Sequence, residues 1–255
     1  MTGPTVRAGA GWLRTLRPAG PGATARLVCF AHAGGAAGYW QPLADALPGR
    51  VEVLAVQYPG RQDRHREPAV EDLHALAARV ADVLRDSVGG AEAPWAFLGH
   101  SMGASVAYET AALLGGAGPR VLFVSGRRAP SRPRRTAESF RDDRALLDKV
   151  RRLGGTAARL LDDADVQELI LPALRADYRA VAAYTGTPGA PLSCPVVALT
   201  GDSDSEASLA DVSAWRQHTT GPFDLRVFPG GHFFLADHWA AVAQLVASRL
   251  PAARV

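Results

Sequence analysis

The stretch Trp95-Ala96-Phe97-Leu98-Gly99-His100-Ser101-Met102-Gly103-Ala104 decides the architecture of this chain. Its first four residues are apolar and read as a buried strand over 95–98, and the small residues that follow it predict a helix over 104–114. The joint between them has the pattern G-x-S-x-G. A serine between two such glycines fits a strained strand-to-helix turn that lifts Oγ above the sheet edge, where bulky neighbours would clash.

Working outward, apolar runs at 25–31, 51–56, 121–125, 196–200 and 225–228 predict further strands. Helical spacing appears over 39–47, 70–88, 209–218 and 239–250; Leu73, Leu76, Ala77, Val80 and Leu84 mark the apolar stripe of the second. Strands alternating with helices predict a mostly parallel, doubly wound α/β sheet. The alternation breaks over residues 127–187, where helical patterns at 137–153 and 164–184 have no strand between them. The expected organisation is one domain, residues 1–255, carrying a helical insertion.

The chain has 255 residues, 47% hydrophobic and 21% charged, the composition of a globular domain rather than a disordered or fibrous one. No run reaches the eighteen or so apolar residues of a membrane span. The amino-terminal stretch, with Arg7 and Arg14, lacks the continuous apolar core of a signal peptide, so a cytoplasmic protein is expected. Cys29 and Cys194 lie in strand-like runs and read as small buried hydrophobes. The net charge is +3, and every basic residue except Lys149 is arginine, a skew of coding composition rather than a nucleic-acid surface. There is no zinc-type Cys/His spacing, phosphate-loop motif or internal repeat, so neither a metal nor a nucleotide cofactor is expected.

A serine hydroxyl needs a base, and the base needs an orienting acid. His232, in Phe228-Pro229-Gly230-Gly231-His232-Phe233, falls on a loop between a strand and the last helix, where a base can reach over Ser101. His65, His74, His218 and His238 sit in a charged loop or on helices. His100 neighbours the serine but is expected to face elsewhere, and His32 is read as a structural histidine of its loop. Leu199-Thr200-Gly201-Asp202-Ser203-Asp204 supplies two candidate acids after a strand. Asp204 has the reach to orient His232, and Asp202 is expected to cap loop N–H groups. His32-Ala33-Gly34-Gly35 follows the first predicted strand; the N–H groups of Ala33 and Met102 are the expected oxyanion donors.

His32-Ala33-Gly34-Gly35, Gly99-His100-Ser101-Met102-Gly103, Leu171-Pro172-Ala173-Leu174-Arg175-Ala176-Asp177-Tyr178 and Gly230-Gly231-His232-Phe233 together resemble the type II thioesterases that accompany polyketide synthases and nonribosomal peptide synthetases. They are similar also to the free-standing medium-chain thioesterase of fatty acid synthesis. The resemblance runs from about Trp12 to about Leu250, and the Leu-Pro-x-Leu-Arg-Ala-Asp stretch is its most specific part. One departure is Ala31, where the family usually has proline before the first-loop histidine.

The resemblance implies an α/β-hydrolase fold and a Ser101-Asp204-His232 triad. It implies hydrolysis of acyl thioesters carried on the phosphopantetheine arm of an acyl or peptidyl carrier protein, clearing stalled or wrongly loaded chains. The enzyme itself would need no cofactor, since that arm belongs to the substrate. The helical insertion would act as a lid over the acyl chamber, with Val166, Leu169, Ile170, Leu171 and Leu174 chiefly packing it onto the core. Arg127, Arg128, Arg132, Arg134 and Arg135 crowd its start; such a run reads first as a solvated face and otherwise as a dock for an acidic carrier. A cyclising terminal domain would follow a carrier domain, whereas this sequence opens at Met1 with a short tail. A generic carboxylesterase would share the triad without the insertion motif.

Overall fold

The computed structural model describes residues 11–20, 25–88, 94–132, 142–154, 163–186 and 189–250. Seven strands are present among these: β1 (Leu13–Arg17), β2 (Ala25–Phe30), β3 (Val51–Val56), β4 (Trp95–His100), β5 (Val121–Ser125), β6 (Val196–Gly201) and β7 (Phe223–Phe228). They form one sheet in the order β1-β3-β2-β4-β5-β6-β7. All neighbours are parallel except β1, which pairs antiparallel with β3.

β1 was not among the expected strands. Leu13-Arg14-Thr15-Leu16-Arg17 is an edge strand with none of its residues fully buried, so it lacks the apolar run that marks the central ones. The boundaries at the serine turn also differ from expectation. β4 extends through Gly99 and His100, and the following helix α3 (Met102–Leu114) starts directly after Ser101, so the turn is a single residue. Cys194 lies just ahead of β6 and is only half-buried, whereas Cys29 is wholly buried in β2.

The central strands alternate faces, and each face has its own core. Val28, Phe30, Phe97, Leu122 and Val124 pack with α2 (Leu73–Val88) and α3. Leu27, Cys29, Leu98, Phe123 and Leu199 pack on the opposite side with α1 (Gln41–Ala46) and the last helix, Trp239–Arg249. Helices on both faces of a parallel sheet are what near-continuous apolar strands require.

Between β5 and β6 the described residues contain α4 (Asp143–Leu153) and α5 (Ala164–Ala183), and no strand. Asp142 and Asp163 cap them by accepting from first-turn N–H groups. Leu146, Leu147 and Val150 of α4 bury themselves against Leu174 of α5, with Ile170, Leu171 and Tyr178 packed alongside. Val166 is half-buried and Leu169 is 55% exposed. A short helix α6 (Leu209–Ser213), closed by a Ser208/Asp211 capping box, and α7 (Trp239–Arg249) complete the series. Residues 137–141 of the expected first insertion helix, and Arg134 and Arg135, lie outside the described residues.

The order of the strands reverses between β2 and β4, since β3 lies on one side of β2 and β4 on the other. A crevice opens at such a point, beyond the carboxyl ends of the strands. Phe30, the last residue of β2, pairs with Gly99, and His100 pairs with Ser125. The loop 31–35, Ser101 and Gly126 therefore emerge side by side.

Candidate active site

Ser101 occupies φ 54°, ψ −120°, a conformation that side-chain-bearing residues rarely adopt. The flanking glycines make it possible. A Cβ on Gly99 would stand 2.2 Å from the Gly103 carbonyl oxygen, and one on Gly103 would stand 2.1 Å from that of Phe30. Backbone thus packs on backbone across the turn, and Oγ is left at the mouth of the crevice.

His232 reaches Ser101 from the loop after β7. Its Nε2 lies 3.0 Å from Ser101 Oγ, in position to accept the hydroxyl proton. Its Nδ1 lies 3.1 Å and 3.0 Å from the two oxygens of Asp204, and donates to that carboxylate. The His232 side chain is 4% exposed and that of Asp204 is 0% exposed. Asp202, by contrast, is exposed, and its Oδ1 accepts from the Gly230 N–H at 3.0 Å, tying the β6 and β7 loops together. The structure therefore brings Ser101, His232 and Asp204 into one hydrogen-bonded chain and leaves Asp202 outside it.

Two further histidines lie beneath this chain. His100, expected to face away from the site, has its ring centroid 5.1 Å from that of His232, because β4 continues through it and turns the ring under the base. Burial pushes its pKa well below the usual value, and Nδ1 lies 3.0 Å from Ser125 Oγ. His32 donates from Nδ1 to the Ala33 carbonyl at 2.9 Å, and burial lowers its pKa to about 4. Both are therefore neutral near pH 7 and add no positive charge beside His232 when it takes up a proton.

In the first loop the Gly35 N–H donates to the His32 carbonyl at 2.9 Å and the Gly34 N–H to Asp177 Oδ2 at 2.7 Å. Among the described residues this leaves the Ala33 N–H uncommitted, and Ala33 lines the same cavity as Ser101. Met102 opens α3, so its N–H has no acceptor within the helix.

The cavity over Ser101 is walled by Ala33, Arg127, Tyr178, Val181, Tyr184 and His232, among others. Its helical wall is the second half of α5 and the residues after it, with Leu153 at the end of α4. Arg127 and Arg128 are half-buried and engaged rather than part of a solvated face. Arg127 Nε donates to Ser105 Oγ at 2.8 Å, and Arg128 Nη2 donates to the Glu206 carbonyl at 2.6 Å. Arg132 also lines the cavity. The Tyr184 hydroxyl donates to Glu109 Oε1 at 2.7 Å; burial first, then that carboxylate, raises its pKa.

Sequence reading missed Arg61, which pairs with Asp177 through both guanidinium Nη atoms, at 2.7 and 2.8 Å. The available signal was a carboxylate on the same helical stripe as Ala173, Leu174 and Ala180, a position that demands a cation. Among the described residues no cluster of three or more His, Cys, Asp or Glu is arranged to hold a metal ion. No helix among them is long and apolar enough to cross a membrane.

Residues 25–250 match the thioesterase domain family. The chain is 47% identical over 249 residues to the thioesterase PikA5 of Streptomyces venezuelae, covering 94% of this chain and 85% of that protein. It is also 47% identical over 241 residues to a probable cadicidin biosynthesis thioesterase of Streptomyces griseus, covering 94% of this chain and 66% of the relative. Among solved structures, the type II thioesterase BorB from the borrelidin biosynthetic cluster superposes with a TM-score of 0.85 at 43% identity, covering 94% of this chain and 98% of that one. The sheet and helices described above are those of the α/β-hydrolase fold that these thioesterases share.

Proposed function

We propose, from the premise that this chain belongs to the thioesterase domain family and is a thioester hydrolase, that it releases acyl groups from the phosphopantetheine thiol of a carrier protein within a polyketide or nonribosomal peptide pathway, clearing stalled or wrongly loaded chains. The observation that carries the chemistry is the continuous hydrogen-bonded chain Ser101–His232–Asp204 opening into a cavity at the carboxyl end of the sheet.

In this reading Ser101 Oγ attacks the thioester carbonyl carbon while its proton passes to His232 Nε2. Asp204 holds Nδ1–H and stabilises the imidazolium that forms. The carbonyl oxygen becomes an oxyanion, met by the N–H groups of Ala33 and Met102. As the tetrahedral centre collapses, the C–S bond breaks and His232 returns its proton to the sulfur, giving a free thiol and an acyl-Ser101 ester. Water, deprotonated by His232, then attacks this ester; the acid leaves and Ser101 recovers its proton.

The helices α4 and α5 within residues 127–187 form the lid of a single catalytic unit in this reading. The BorB likeness supports a pathway role, and the wall of Tyr178, Val181 and Tyr184 supports an acyl chamber under the lid. The decisive measurement is kcat/KM for one acyl group on a phosphopantetheinylated carrier, on coenzyme A and on N-acetylcysteamine. The carrier is expected to be the best donor, and Ser101→Ala inactive on all three. Equal values for the three donors refute carrier recognition, and an active Ser101→Ala refutes the acyl-enzyme.

A further inference from the structure

Asp177 belongs to α5, yet it is fully buried at the edge of the reactive loops. Both oxygens of its carboxylate are engaged. Oδ1 accepts from Arg61 Nη2, and Oδ2 accepts from both Arg61 Nη1 and the Gly34 N–H. Arg61, in the loop after β3, also donates from Nη1 to the Gly35 carbonyl at 3.1 Å. Gln57 holds that loop in turn, donating to the Arg61 carbonyl at 3.3 Å and accepting from the Ala37 N–H at 3.0 Å. One ion pair therefore joins α5 to two successive residues of the first loop, Gly34 and Gly35.

Packing reinforces the link. Gly34 has φ +75°, and a Cβ there would stand 2.6 Å from Leu174 Cδ1, so α5 rests directly on the loop at its tightest point. A buried ion pair stabilises a fold little more than well-packed apolar residues of the same volume would. What such residues could not supply is an acceptor for Gly34 and a donor for Gly35.

We infer that Asp177 is a positioning residue for the reaction: by fixing Gly34 and, through Arg61, Gly35, it sets the orientation of the Ala33 N–H, so the oxyanion site is complete only when α5 is seated. The inference rests on the reading of Ala33 as an oxyanion donor. It makes the lid helix part of the catalytic geometry as well as a cover for the acyl group.

The test compares Arg61→Met/Asp177→Asn with Arg61→Met/Asp177→Leu. Both remove the two charges, so neither strands a buried ion; only the first keeps a side-chain oxygen for the Gly34 N–H. Three probes are used: a hexanoyl N-acetylcysteamine thioester, its trifluoromethyl ketone analogue, whose Ser101 adduct carries an oxyanion, and a thioether analogue that binds without one. The Leu variant is expected to fall below the Asn variant on the order of tenfold or more in kcat and in ketone affinity, with KM and thioether affinity within about threefold. Equal kcat in the two, or a loss shared equally by thioether affinity and folded fraction, overturns the inference. Should the double variants not fold, Asp177→Glu keeps the charge for Arg61 but displaces the carboxylate from the Gly34 N–H; a kcat unchanged from the parent then overturns it. An active Ser101→Ala would instead remove the acyl-enzyme reading on which the inference stands, so the two failures are distinguishable.

Discussion

Asp204 Oδ1 serves two partners at once: it lies 3.1 Å from His232 Nδ1 and accepts the Glu206 N–H at 2.8 Å. The carboxylate is thus locked against rotation by its own loop. Glu206 is in turn ion-paired with Lys149 of α4. An amide at position 204 would keep the shape, but its NH₂ would face an N–H donor and favour the wrong tautomer of His232. Asp204→Asn is therefore expected to lower kcat on the order of 10⁴-fold with the fold intact. Asp202→Asn keeps an oxygen for the Gly230 N–H and should change kcat and stability little, whereas Asp202→Ala should cost stability of about 1 kcal/mol through that contact and little kcat. A larger kcat loss at Asp202 than at Asp204 would reverse the assignment.

The positive φ of Ser101 carries a conformational cost that glycine does not share. Ser101→Gly and Ser101→Ala both lack the hydroxyl, so their difference isolates the backbone. The glycine variant should be the more stable by about 1–2 kcal/mol, in the range of the strain a residue stores in such a conformation. Denaturant unfolding of the two proteins measures this directly, and equal midpoints would mean that the turn relaxes around alanine.

His32 titrates near its ordinary value once unfolded but at about 4 when folded, because burial opposes its charge more strongly than the Ala33 carbonyl supports it. Between pH 6.5 and 4 the unfolded chain therefore binds the extra proton. Stability is full above about pH 6.5, falls as the pH drops through this window, and from this group changes no further below it. The share is about 3 kcal/mol. The gap between the unfolding free energies of the parent and His32→Gln should narrow by that amount from pH 7 to 4; parallel curves would refute it.

Val181 lines the cavity from α5. Val181→Phe should shorten the accepted acyl chain. The ratio of kcat/KM for a long to a short acyl thioester is expected to fall on the order of tenfold, since even one lost methylene contact amounts to about 1–3 kcal/mol. An unchanged ratio would place the acyl path elsewhere in the cavity.

The parts of this molecule legible in its sequence are those whose cause is local. The Ser101 turn announces itself because two glycines must sit where neighbouring backbone leaves no room for a Cβ, and the central strands because both their faces are buried. Asp204 could be preferred to Asp202 by reach alone. The Arg61–Asp177 pair could not be read, since 116 positions separate its members and only folding brings them together. β1 was hidden by its edge position, which exposes what a central strand would bury. His100 was misplaced because the end of β4, not the residue's own chemistry, decides where its ring points.

The contact of Gly103 with the carbonyls of Phe30 and Ala31 has an evolutionary consequence. The nucleophile and the first loop are gauged against each other by main-chain atoms, which every substitution preserves. The chamber wall comes from a separate stretch of side chains after β5. Acyl preference can therefore drift among descendants of this sequence without detuning the reactive centre, provided position 103 stays glycine and the Arg61–Asp177 pair is kept.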